Sequence, residues 1–110
     1  MDLKRLIQLL EEVPPDLVFP EGFGRAGCWE GDWYEIAFEP ATNTTAGEML
    51  AHAKNANGAT LFRHRRGGSM EMDLESQVHI ARPGECDRDE DPLSIWRWRW
   101  MLKAAEEAAK

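Results

Sequence analysis

The sequence predicts an α+β fold in which a mostly antiparallel sheet of about five strands carries two or three helices. Three observations lead there. Apolar residues recur at helical spacing in the first dozen positions, short apolar and aromatic runs alternate further on, and proline or glycine pairs separate the segments. With 110 residues, 43% apolar and 30% charged, the chain has the size and composition of one compact unit, so the expected domain is 1–110, with 102–110 as a frayed helical tail.

Asp2 is placed to cap a first helix whose Leu3, Leu6, Ile7 and Leu10 fall on one stripe, and Pro14-Pro15 stops it. Leu17-Val18-Phe19 then reads as a short strand ended by Pro20. The glycine-containing stretch Glu21 to Gly31 reads as a loop, in which Gly22, Gly24, Gly27 and Gly31 are punctuation. Trp33 to Phe38 is the next strand, bounded by Gly31-Asp32 and Pro40.

Thr45-Ala46-Gly47-Glu48 has the spacing of a capping box and predicts a second helix of about three turns. Met49, Leu50, Ala53 and the stem of Lys54 form its apolar face, and Asn57-Gly58 supplies a left-handed stop. Ala59 to Arg65 and Ser69 to Asp73 pair as a hairpin turned by Gly67-Gly68, and Val78 and Ile80 mark a further strand within Gln77 to Ala81. Pro83 to Pro92 reads as a polar loop.

Ile95-Trp96-Arg97-Trp98-Arg99-Trp100-Met101 alternates strictly. A strand there would put three tryptophans on one face and two arginines on the other, and tryptophan's β-propensity agrees with that period. Lys103 to Lys110 is a strong helix former. The competing expectation is therefore a helix that begins at Ser94 and absorbs the tryptophans.

The formal charge of -7 argues against a general nucleic-acid or anionic-membrane binder, because phosphate affinity rests on positive fields. Residues 1–58 carry a net -6 and residues 59–110 a net -1, so the excess is N-terminal. No apolar run approaches the length of a membrane span, and acidic and basic residues stand where a signal peptide would be apolar. Cys28 and Cys86 are too few for a disulfide framework and are expected as thiols.

The candidate ligand-binding residues are Arg63, Arg65, Arg97, Arg99, Trp29 and Trp33. Indole faces stack on bases and guanidinium groups hold phosphates bidentately, so these types point to a nucleotide-like ligand. The opposing reading makes Trp96, Trp98 and Trp100 core or a dimer interface, with Arg97 and Arg99 on a solvated face. Trp29 and Trp33 lie in an aromatic, acidic segment. It is either a binding loop or a loop pinned to the core by two large side chains. No metal or cofactor is expected: His52, His64, His79, Cys28 and Cys86 lack ligand spacing, and Asp87, Asp89 and Asp91 lack the glycine and final glutamate of a calcium loop. No nucleophile elbow or phosphate-cradling motif is present, and a non-enzyme is expected.

The segments at 16–24, Trp33 to Pro40 and Thr45 to Leu50 resemble a family of small accessory proteins of tailed bacteriophages, especially those of actinobacteria. Gly67-Gly68 with Met70 or Met72 answers to the glycine hairpin of that family. The resemblance spans about residues 3–81 and leaves out the Trp/Arg segment and the alanine-rich tail. It implies a phage origin and a place in the host bacterial cytoplasm, and it brings no activity. Accessory proteins of this kind commonly act by stoichiometric binding. Two expectations follow: an oligomeric sponge that sequesters a nucleotide-like immune signal, or an acidic inhibitor that occludes a host protein through Glu30, Asp32, Glu35 and Glu39.

Overall fold

The computed structural model describes residues 1–28, 35–58, 60–62, 69–80 and 93–110. Its order is α1 (Leu3–Glu11), β1 (Val18–Cys28), β2 (Glu35–Thr45), α2 (Ala46–Ala56), β3 (Thr60–Phe62), β4 (Ser69–Glu71), β5 (Gln77–Ile80) and α3 (Ile95–Ala108). The α+β class expected from the sequence holds. Among the described residues, a single five-stranded sheet is not found. Three strands form one mixed sheet in the order β1-β2-β5, and β3 and β4 pair separately.

Helix α1 forms as its pattern predicts. The Asp2 carboxylate accepts from the Arg5 backbone N–H at 2.9 Å, satisfying one of the donors a helix start leaves open. Leu3, Leu6, Leu9 and Leu10 are buried; Ile7, expected in the stripe, is half-buried beside the core. The N-terminal backbone then runs along β5, with Asp2 bridged to Gln77 and the Val78 N–H donating to the Met1 carbonyl at 3.1 Å.

β1 and β2 are each 11 residues long and pair antiparallel, which corrects two expectations at once. Neither Pro20 nor the glycine-rich segment ends β1, and Pro40 does not end β2. β1 lies at the edge of its sheet, where a proline without an N–H forfeits no inner ladder bond, and Pro20 is tolerated there. Asn43, across from Pro20, adopts a left-handed φ of 53°, a conformation asparagine reaches more easily than most residues. Gly24 and Arg25 together face Glu39, a one-residue bulge that shifts the register between Phe23 and Ala26.

β5 runs parallel to β2, pairing Glu35 to Phe38 with Gln77 to Ile80, so the sheet is mixed, its longer β1–β2 ladder antiparallel and its shorter one parallel. The expected hairpin pairing of β3 with β4 is present, Thr60 facing Glu71 and Phe62 facing Ser69. Its Gly67-Gly68 turn lies outside the described residues.

The capping threonine of α2 behaves as its spacing predicts, the Glu48 N–H donating to Thr45 Oγ1 at 3.2 Å. Ala46, Met49, Ala53 and Ala56 are its buried face; Leu50 is half-buried and Lys54 exposed. Gly58 follows with φ of 78°. The close approach of α2 to β1 depends on Gly22. A Cβ there would stand 2.9 Å from Met49 Sδ and 3.2 Å from Thr44 Cβ.

The largest correction concerns the Trp/Arg segment. Residues 95–101 are not a strand. They are the first two turns of α3, and most of the expected tail is the continuous remainder of that helix. Ser94 Oγ accepts from the Arg97 N–H at 3.2 Å. Once capped, the helix propagates into residues of high helical propensity, and each added residue gains a backbone bond. Trp98, Met101 and Ala105, spaced three and four apart, are its buried stripe. Trp98 packs on Phe19 of β1 with ring centroids 5.5 Å apart, and Phe23 meets Phe38 across the hairpin at 4.5 Å. One apolar core joins these rings to the leucines of α1 and the small face of α2. No helix among the described residues is long and apolar enough to cross a membrane.

Candidate functional site

The helical form of residues 95–108 separates side chains that a strand would have aligned. Positions two apart on a helix differ by about 200° in direction, so Arg97 and Arg99 do not share a face. Nor do the three tryptophans. Trp98 is buried at 2% exposure, while Trp96 and Trp100 are exposed at 74% and 68%.

Arg97 lines a cleft of about 920 Å³ between α3 and the β1–β2 hairpin. Glu21, Glu39 and Thr42 are its polar lining residues beside Arg97, and Ile80 with Met101 are apolar ones. The volume is within the range of sites that hold small molecules. Its chemistry is mixed: one permanent cation, two groups that only accept hydrogen bonds when ionised, and an apolar wall. Among the described residues, no salt bridge ties Arg97 to either glutamate.

The cleft exists because of backbone features noted above. The long hairpin pairs Glu21 with Thr42, and the bulge at Gly24 and Arg25 places two residues against Glu39. Trp98 fixes the helix against Phe19, and Arg97 and Met101 then follow as cleft residues from the helical turn.

On the far side of α3, the Arg99 guanidinium carbon stands 5.4 Å from the centroid of the Trp96 ring, within cation–π range. This is the one described place where an arginine and a tryptophan of the expected ligand surface come together, and it is convex helix surface rather than cleft. Arg63, Arg65, Trp29 and Trp33 lie outside the described residues, as do Glu30 and Asp32 of the expected acidic face. Glu39 of that face is exposed at the cleft.

Sequence reasoning placed Glu21 in a loop and gave Ile80 and Met101 no role in a site. The pattern holds no local signal for them, because their convergence follows from the register of β1 with β2 and the docking of α3. His79 is buried on β5 and His52 half-buried on α2. Among the described residues, no three His, Cys, Asp or Glu side chains gather around a metal-sized point. No family model, curated protein or solved structure matches the chain.

Proposed function

We propose that this chain is a phage-encoded, non-enzymatic binding protein that counters host defence in the bacterial cytoplasm by sequestering a nucleotide-like signal. The observation that carries the reading is the cleft, where Arg97 shares one cavity with Glu21, Glu39, Ile80 and Met101. A guanidinium recognises phosphate bidentately, carboxylates accept ribose hydroxyl or base amine protons, and an apolar wall takes a base face. The two acidic lining residues also select. They repel a bare polyphosphate and favour a ligand that offers hydrogen-bond donors beside its phosphate.

Calorimetric titration of the protein with linear and cyclic nucleotides, followed by mass analysis of the recovered ligand, tests this. The expected result is saturable binding, unchanged ligand, and a loss of about tenfold or more in affinity for Arg97→Ala. Circular dichroism of that variant should match the wild type, because Arg97 is exposed. Absence of binding across the panel, or a variant that binds as well as the wild type, overturns the reading. A chemically altered ligand overturns its non-enzymatic part. The runner-up is an acidic inhibitor of a host protein, supported by the exposed Glu21 and Glu39 on the hairpin. Its mark is a host polypeptide that co-purifies and is released by salt.

A further inference from the structure

Trp96 and Trp100, one helical turn apart, are exposed and play no part in the core or the cleft. With Lys103 and Glu107 they make a row spaced four, three and four, opposite the buried row of Trp98, Met101 and Ala105. That spacing is the seam of a helix pair.

We infer that this outer side of α3 is a self-association surface, on which two copies pair their α3 helices antiparallel. Charge complementarity along the helix names the occupant. In the seam's register, Arg99 and Glu106 occupy equivalent flanking positions one heptad apart. Antiparallel pairing sets Arg99 of one copy beside Glu106 of the other, twice by symmetry. The same register layers Trp100 on Lys103 of the second copy, whose ammonium and stem both suit an indole face, and Trp96 on Glu107, which accepts from the indole N–H. A parallel pair would stack Lys103 on Lys103 and Glu107 on Glu107. The Arg99 guanidinium carbon lies 5.4 Å from the Trp96 ring centroid, beside the seam.

The four tryptophans bring on the order of 500 Å² to the interface, and flanking stems add to it, which suits a reversible micromolar dimer rather than a permanent one. This specifies the oligomer of the proposed sponge, but it rests on α3 alone and does not need the ligand.

Sedimentation velocity across a micromolar concentration series, without nucleotide, is the test. The wild type should associate reversibly to a dimer. The double variant Trp96→Ala/Trp100→Ala should associate at least about tenfold more weakly with unchanged circular dichroism. Arg99→Glu and Glu106→Arg should each weaken the dimer, and the two together on one chain should restore it. Arg97→Ala should leave association unchanged, so a failed ligand reading and a failed dimer give different results. A wild type that stays monomeric overturns the inference, as does a dimer indifferent to the tryptophans or a charge swap that fails to rescue. A monomer that captures a host polypeptide through Trp96 and Trp100 assigns the surface to that partner and overturns it too.

Discussion

Helix α1 turns Leu3, Leu6, Leu9 and Leu10 inward and leaves Lys4, Arg5, Gln8 and Glu11 in water, whereas α3 turns Trp98, Met101 and Ala105 inward and leaves Trp96 and Trp100 in water. The two helices start the same way, each with a side-chain oxygen accepting the N–H three residues on. Their inner sides answer the same need, the burial of apolar surface against the sheet and its neighbours. Only the outer sides differ. Solvated side chains complete α1, while the indoles of α3 keep apolar area in water that burial elsewhere would relieve. Under the self-association inferred above, α3 serves the fold with one side and a second copy with the other.

Substitutions can break or sharpen that contrast. The largest effect is expected for Trp98→Ala, which removes the ring packed on Phe19 from a closed core. It should cost about 3–5 kcal/mol in urea denaturation, enough to leave a marginal domain partly unfolded. Leu6→Ala should cost about 2–5 kcal/mol, placing the inner side of α1 on the same scale. Asp2→Ala and Ser94→Ala each delete one capping acceptor, and each should lower stability by about 1 kcal/mol, read as a shift in the urea midpoint. The smallest effect belongs to the outer sides. At dilution, Gln8→Ala and Trp96→Ala should each change stability by less than about 0.5 kcal/mol. A Trp96→Ala penalty that appears only as concentration rises would sharpen the contrast by linking the indole to association. A penalty equal to that of Trp98→Ala at every concentration would break it.

Much of the fold was legible because it is encoded by neighbours. Asp2 with Leu3, Leu6 and Leu10 specifies α1, and Thr45 with Glu48 specifies the start of α2, since caps and helical stripes need residues only three or four apart. The β3–β4 pairing was legible because its partners, from Thr60 with Glu71 to Phe62 with Ser69, are also close along the chain. The strand ends were not. Pro20 and Pro40 read as breakers, and whether a proline breaks a strand depends on which of its edges is paired. The Trp/Arg run misled because period two and period 3.6 place the same residues differently. Only one of its three tryptophans had to be buried, and a helix satisfies that as well as a strand does.

The candidate site divides along the same line. Arg97 was named from the sequence as a phosphate-binding type, a property of one side chain. Its cleft companions Glu21, Glu39, Ile80 and Met101 come from four different elements, and no spacing in the chain joins them.

By itself, then, the sequence determined the α+β class, the starts of two helices, an acidic surplus in its first half and the residue types able to hold an anion. These are local or additive properties, written wherever the residues stand. Tertiary structure decided that β5 joins β2 in parallel, that residues 95–108 are a helix, and that Arg97 faces a cleft while Trp96 and Trp100 face out. Those outcomes depend on which distant surfaces meet. A single core, closed by Trp98 on Phe19, sets the rotation of α3 and with it the direction of every other side chain the helix carries.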